Sequence, residues 1–190
     1  MRGRIKAFVF TAAFLMVLSG PATASTVNLS FTNSDVDLGL NSQINLTNQY
    51  SAFGISFDHV YRYIDSRDPF SDDYGISNGF QSQNGATAAL GRVDFSAVTP
   101  YVTFDWWTIS STFNISAYDS LDSLVGTFSG SGNGTQTING SIKYFTFNDS
   151  GGFVQIANLK YDTAAVPEPS TLLLIGFGLA GLAGVRRFRK

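Results

Sequence analysis

The sequence contains no cysteine. No disulfide can therefore cross-link the chain, and no thiol is available as a nucleophile or a metal ligand. The fold must rest on its own hydrophobic core, on bound ions or on association with other chains.

Residue types that carry catalysis are also scarce. His59 is the only histidine and Glu168 the only glutamate. One histidine cannot build a histidine-rich metal site, and no Gly-x-Ser-x-Gly nucleophile elbow occurs. A Ser–His–Asp triad through His59 stays open because serine and aspartate are plentiful, but most aspartates fall in turn segments, where they cap the backbone. We therefore predict that the protein is not an enzyme, with a secreted hydrolase using His59 as an alternative.

Positive charge is almost absent between the two ends of the chain. Residues 25–165 hold thirteen aspartates and five basic residues, a net charge of −8, while the other seven basic residues lie near the termini. Such a surface repels nucleic acid and anionic lipid and attracts divalent cations. Nucleic-acid binding is excluded on this ground.

The N-terminus has the pattern of an export signal. Its positively charged start consists of Arg2, Arg4 and Lys6. An apolar run follows at residues 7–18, too short for a transmembrane helix, and the small residues Ala22 and Ala24 form a cleavage site. We predict a signal peptide over residues 1–24 that is cut before Ser25, with signal peptidase and the secretion machinery as partners.

The C-terminus has three parts, which are a Pro-Glu-Pro motif, an apolar run and a basic end. The motif occupies residues 167–169, the predicted helix residues 171–185 and the basic end residues 186–190. Because proline cannot be interior to a helix, the helix must begin after the motif. The basic end should stay on the cytoplasmic side of the membrane, which leaves the motif at the outer surface.

These residues closely resemble the PEP-CTERM sorting signal of Gram-negative bacteria that make exopolysaccharide, over residues 166–190. The resemblance implies recognition of Pro167, Glu168 and Pro169 by an exosortase, a membrane-embedded cysteine peptidase-like enzyme that cuts near the motif. It also implies an inner-membrane intermediate anchored by the C-terminal helix, and then a location at the cell surface or outside the cell.

The middle of the chain is dominated by strand signals. Turn residues separate short runs rich in Val, Ile, Phe, Tyr and Thr, and no window has the periodicity of an amphipathic helix. The predicted strands cover residues 26–32, 54–64, 88–95, 101–109, 112–118, 124–128, 142–147 and 153–161. The glycine- and serine-rich residues 129–134 predict a flexible hairpin loop. We predict an all-β fold, a single antiparallel β-sandwich or jelly roll over residues 25–165, flanked by an N-terminal signal-peptide helix and a C-terminal transmembrane helix.

Two segments of this domain are similar to the β-sandwich ectodomains often attached to PEP-CTERM tails. They are residues 115–126 and residues 153–161. Such ectodomains resemble carbohydrate-binding jelly rolls, several of which hold a structural calcium. They often carry Ile-Asp-Asn-Leu near the second segment, and here Ala157 replaces the acidic residue.

Two groups of residues are candidates for ligand binding. Four carboxylates in one short segment can converge on calcium, and the alternative is a solvated loop partly neutralised by Arg67. These carboxylates are Asp65, Asp68, Asp72 and Asp73. Aromatic residues offer stacking surfaces for sugar rings. Trp106 and Trp107 must point to opposite faces of a strand, so that one enters the core while the other meets solvent or a second sheet, and Tyr61 and Tyr63 share one strand face.

The function that these patterns predict is that of an exported, exosortase-processed cell-surface or extracellular-matrix protein. It would be non-catalytic and would bind exopolysaccharide by aromatic stacking and by hydrogen bonds from Asp and Asn. The alternative from a different class is a purely structural protein that associates with itself through sheet edges.

Overall fold

A computed structural model describes residues 24–39, 43–64, 74–79, 89–108, 112–149 and 154–163. Ser25–Ala164 forms one compact unit. The helices predicted for the two signals lie outside the described residues. Within the described ranges, no helix is long and apolar enough to cross a membrane.

Ten strands make up the described part of the compact unit, and all their pairings are antiparallel. The strands are β1 (Thr26–Leu29), β2 (Gln43–Leu46), β3 (Ile55–Asp58), β4 (Val60–Ile64), β5 (Tyr74–Ser77), β6 (Gly91–Thr108), β7 (Phe113–Tyr118), β8 (Leu124–Gly130), β9 (Asn133–Asp149) and β10 (Val154–Asp162). The predicted all-β class is confirmed.

The long strands β6 and β9 run through both layers of a sandwich. Their mutual register shifts twice between Asp94 and Tyr101, which divides each strand into two halves. One layer, sheet I, has the order β2-β4-β5-β10-β6-β9, with β1 on the end of β10, and uses the second half of β6. The other layer, sheet II, has the order β3-β6-β9-β7-β8 and uses the first half of β6.

Alternating side chains of both sheets fill the space between the layers, as the twofold period of a strand requires. On β6, for example, Val102, Phe104 and Trp106 are buried, and the residues between them are half-buried. Aromatic rings dominate this core. Phe104 is edge-on to Phe113, with 6.0 Å between the ring centroids, and the ring centroids of Phe95 and Tyr161 are 4.9 Å apart. Each fully buried large apolar side chain contributes about 1.5–3 kcal/mol, so this core stabilises the domain without disulfides.

The strand boundaries differ from the sequence prediction in three ways. The two strands predicted on either side of Pro100 are one strand, β6. Pro100 is exposed and lies at the register shift, where a missing N–H breaks no regular ladder. The strand predicted over residues 54–64 is two strands, because His59 between them has a φ of 52°. Strands β2, β5 and the first half of β9 were not predicted.

The glycine-rich residues 129–134 are mostly strand rather than flexible loop. Gly130 ends β8, β9 begins at Asn133, and the turn between them has two residues. A Cβ atom on Gly130 would lie 2.9 Å from the Trp106 ring. Glycine at this position therefore allows the strand backbone to pack directly against the indole.

Two buried tyrosines provide a matched test of the core. The Tyr161 hydroxyl donates a hydrogen bond to the Phe53 carbonyl oxygen at 2.7 Å. The Tyr50 hydroxyl, also buried, has no hydrogen-bond partner among the described residues. Burial raises the pKa of both phenols, so each is neutral in the folded protein at neutral pH.

We expect Tyr50→Phe to raise the free energy of unfolding by up to about 1 kcal/mol, because a buried hydroxyl without a partner is costly. Tyr161→Phe should lower it by about 0.5–1.5 kcal/mol, since it removes a partly buried hydrogen bond to the Phe53 carbonyl oxygen. Urea unfolding followed by tryptophan fluorescence measures both. An equal decrease in the free energy of unfolding for both variants would contradict this account.

Candidate functional site

The outer face of sheet I presents a row of polar and aromatic side chains along the second half of β6. Tyr101, Thr103, Asp105 and Trp107 occupy alternate positions, and all four are half-buried. The two aromatic ends, Tyr101 and Trp107, are six positions apart, which corresponds to about 20 Å along a strand. We name this row, together with the neighbours that bond to it, the polar strip. Those neighbours are Thr26, Thr135, Thr137, Asn158 and Asp162.

Asp105 lies in the polar strip, and neutral donors hold both of its carboxylate oxygens. Thr135 Oγ1 donates to Oδ1 at 2.5 Å, and Asn158 Nδ2 donates to Oδ2 at 2.8 Å. No basic side chain among the described residues lies within ion-pair distance of Asp105. Each oxygen keeps a free lone pair, so the carboxylate is fixed in direction and can accept further hydrogen bonds.

Asn158 reaches Asp105 because β10 contains a bulge at that point. Asn158 has a φ of 48°, and the register with β6 shifts between Ala157 and Lys160. A bulge re-aims the side chain at its position. Ala157 lies directly opposite Asp105 in the ladder.

The other end of the polar strip is held by a second carboxylate. Tyr101 donates its hydroxyl hydrogen to Asp162 Oδ1 at 3.1 Å, and Thr26 Oγ1 donates to the same atom at 2.7 Å. Between the ends, the hydroxyl oxygens of Thr103 and Thr137 lie 2.8 Å apart. Desolvation and the Asp162 carboxylate raise the pKa of Tyr101, so its hydroxyl remains a donor at neutral pH.

Of the four predicted aromatic contacts, the structure buries two. Trp106 is 5% exposed and Tyr63 is 6% exposed, so neither offers a ring face to a sugar. Trp107 and Tyr61 are half-buried on the outer face of sheet I. The two adjacent indoles therefore point to opposite faces of β6, as predicted. Of the four residues predicted to contact carbohydrate, only Trp107 and Tyr61 are exposed enough to remain candidates.

Sequence reasoning missed Tyr101 and Asp105 as members of a site. The signal was available, because residues two apart on a predicted strand over 101–109 share one face. It also missed a second aromatic group, on the outer face of sheet II. There the Arg92 guanidinium carbon lies 3.6 Å from the Tyr144 ring centroid, and Tyr118 stacks on Tyr144 at 4.9 Å. Both faces of Tyr144 are covered, so it is not an open stacking surface.

His59 does not assemble a triad with the described residues. Its Nδ1 lies 3.0 Å from Asp58 Oδ1, both side chains are more than half exposed, and no described serine hydroxyl bonds to the imidazole. A cleft of about 420 Å³ lies near β3 and is lined by polar groups that include Lys143 and Asp94, but not His59. Lys143 donates there to the Phe95 and Ser96 carbonyl oxygens.

Several predicted residues lie outside the described ranges. They are Asp65, Asp68, Asp72 and Asp73 of the calcium prediction, Ala22 of the cleavage site, and Pro167, Glu168 and Pro169 of the sorting motif. Ala24 and Ser25 are described, and both are exposed. Within the described residues, no group of three or more His, Cys, Asp or Glu side chains is placed to hold a metal ion.

Residues 165–190 match the PEP-CTERM protein-sorting motif. The predicted nature of the C-terminal tail is therefore confirmed. The motif implies export of the protein and a membrane-anchored intermediate held by the C-terminus. No curated protein sequence matches the chain.

Solved structures with similar folds include carbohydrate-binding modules of family 29. One variant of such a module has 16% identity and a TM-score of 0.43, with 74% of this chain and 92% of that chain covered. Another, complexed with cellulohexaose, has 16% identity and a TM-score of 0.41, with coverage of 75% and 94%. The enzymatically active domain of tailspike protein 4 from bacteriophage CBA120 has 15% identity and a TM-score of 0.35, with coverage of 64% and 21%. Similarity at this level carries no information about a ligand of this chain.

Proposed function

We propose that this chain is a non-catalytic extracellular protein that binds polysaccharide through the polar strip. The observation that supports this most directly is the fixed Asp105 carboxylate two positions from the half-buried Trp107 on the outer face of sheet I. A sugar ring has apolar C–H faces and a rim of hydroxyls. An indole face and a directed acceptor next to each other match these two features.

The arrangement of the polar strip favours a chain of sugars over a single one. Aromatic side chains lie at its two ends, with hydroxyls and a carboxylate between them. Hydrogen bonds between side chains hold Thr103, Asp105 and Tyr101 in place before any ligand arrives. Preorganisation of this kind lowers the entropy cost of binding an extended ligand.

The sorting motif supplies the cellular setting of this proposal. We infer that signal peptidase cuts before Ser25 and that an exosortase recognises Pro167, Glu168 and Pro169. Both steps would deliver the domain to the surface, where exopolysaccharide is present. With a net charge of −8 over residues 25–165, the domain should bind neutral glycans better than acidic ones.

The proposal is tested by the affinity of the exported protein for host exopolysaccharide, measured by retardation in an affinity gel. We expect Trp107→Ala to weaken binding about tenfold or more, as for an aromatic hot spot. Asp105→Asn, which keeps the shape and removes the charged acceptor, should weaken it by about tenfold.

The matched control is Tyr118→Ala, which removes a half-buried aromatic ring from the outer face of sheet II. It should leave binding unchanged. Weakening by Tyr118→Ala but not by Trp107→Ala would move the site to sheet II. If the unaltered protein is not retarded by any polysaccharide, the binding function is lost and the structural alternative is favoured.

A further inference from the structure

One side of the sandwich ends in two strand segments that have a single partner each. Among the described strands, β8 pairs only with β7, and residues 133–139 of β9 pair only with β6. A two-residue turn joins the segments. We call residues 124–130 and 133–139 the open edges. Each presents backbone N–H and C=O groups that a further strand can bind.

The two open edges lie over one another, one in each layer. Gly126 of β8 faces Ile138 of β9, since a Cβ atom on this glycine would lie 2.8 Å from Ile138 Cγ2. Gly140, directly after the open edge of β9, faces Val125 in the same way. The two edges therefore pack directly on one another, and glycine at these positions lets their backbones approach closely.

The usual protection of open edges is missing from both segments. Natural proteins place charged residues, above all lysine, or proline on such strands. Residues 124–142 contain no proline and no charged residue over 19 positions. No residue of β8 is buried. Leu124, its first residue, is 59% exposed, and Leu121 just before the strand is 84% exposed.

We propose that the open edges bind a second copy of this chain, edge to edge, so that both sheets continue across the pair. A partner must offer two edges at the same spacing and with the same tilt. A second copy does so by symmetry: a twofold axis perpendicular to the sheets pairs β8 antiparallel with its equivalent and residues 133–139 with theirs. Self-complementary contacts of this kind define an isologous dimer.

The pairing has a consequence for ligand binding that rests on the proposed function. Thr135 and Thr137 of the polar strip lie on one of the open edges. Joining two copies there places two polar strips side by side on one continuous sheet surface. A polymer that contacts both strips is held more tightly than by either strip alone.

Because the chain has no cysteine, single cysteines can test the pairing in the full exported chain. We would introduce Thr127→Cys and Ser129→Cys in β8, and Thr137→Cys and Asn139→Cys in β9, all at exposed positions. Residues directly opposite in an antiparallel pair have Cα atoms about 4.5–5.5 Å apart, which a disulfide can span. In each strand, the position nearest the twofold axis should give a disulfide-linked dimer.

The control is Asn28→Cys, which is exposed on β1. We expect at least one position in each open edge to give about tenfold more dimer on a non-reducing gel than this control. Thr127→Lys in the Ser129→Cys protein should reduce the dimer severalfold, because a lysine on an edge strand opposes pairing with another chain. If every position gives only as much disulfide-linked dimer as the control, the proposal is overturned, because that amount arises from random collision of two chains. Linkage from one strand alone overturns the two-edge arrangement, and so does linkage that Thr127→Lys does not change.

Discussion

Trp106→Ala should lower the free energy of unfolding by about 3–5 kcal/mol, the cost of removing a large aromatic side chain from a packed core. The indole is 5% exposed and stacks on Phe113 at 5.6 Å, with an interplanar angle of 19°. It also contacts Phe128 at 5.2 Å. Removal therefore leaves a cavity between β6, β7 and β8 that the surrounding strands cannot close.

The neighbouring Trp107→Ala is the matched control for this loss. Its side chain lies on the opposite face of the same strand and is half-buried, so we expect a loss of about 1 kcal/mol or less. Urea unfolding with a circular dichroism readout measures both variants on one scale. Similar losses for the two would show that both indoles are structural, and they would remove Trp107 from the polar strip as a ligand contact.

Glu168→Ala should stop maturation of the protein altogether. Glu168 is the only glutamate in the chain and lies between two prolines in the segment that matches the sorting motif. A carboxylate held in so rigid a setting is well suited to recognition by a processing enzyme. In the native host, we expect the unaltered protein to lose its C-terminal helix and leave the inner membrane, while the variant stays there at full length.

Intact mass of the membrane and extracellular fractions decides this prediction. Glu168→Gln separates the charge of the side chain from its shape. Leu173→Ala, within the apolar run, controls for a general effect of altering the tail and should be processed normally. Full-length protein in the inner membrane for both the unaltered chain and Glu168→Ala would mean that the tail is only an anchor.

Much of the fold was predictable because the strands in the middle of the chain alternate cleanly. Where a strand departs from regular alternation, prediction fails for a physical reason. Simple alternation places Leu159 on the same face as Gln155, which lies opposite the outer-face Trp107. The bulge at Asn158 reverses the order, and Leu159 packs in the hydrophobic core. Nothing local to Asn158 indicates a bulge, because its positive φ is stabilised by the hydrogen bond to Asp105 on another strand.

The candidate site was predictable only in part, for a similar reason. The Trp106-Trp107 pair showed that one indole would enter the core, since adjacent strand residues point to opposite faces. Which indole does so depends on the register of β6 with β9 and β10. The same registers bring Thr135 and Asn158 to Asp105 from strands that are 30 and 53 residues away in sequence.

The sequence by itself determined that this protein carries a sorting signal, that it can form no disulfide, and that its central region is acidic. Its PEP-CTERM tail, its lack of cysteine and its acidic central region are properties of composition and of short linear motifs, which need no folded structure to be read. Tertiary structure alone decided which side chains meet on the polar strip and which strands have open edges. Both depend on pairing between distant segments, and the free energy of that pairing comes from burying a shared core, which no local pattern encodes.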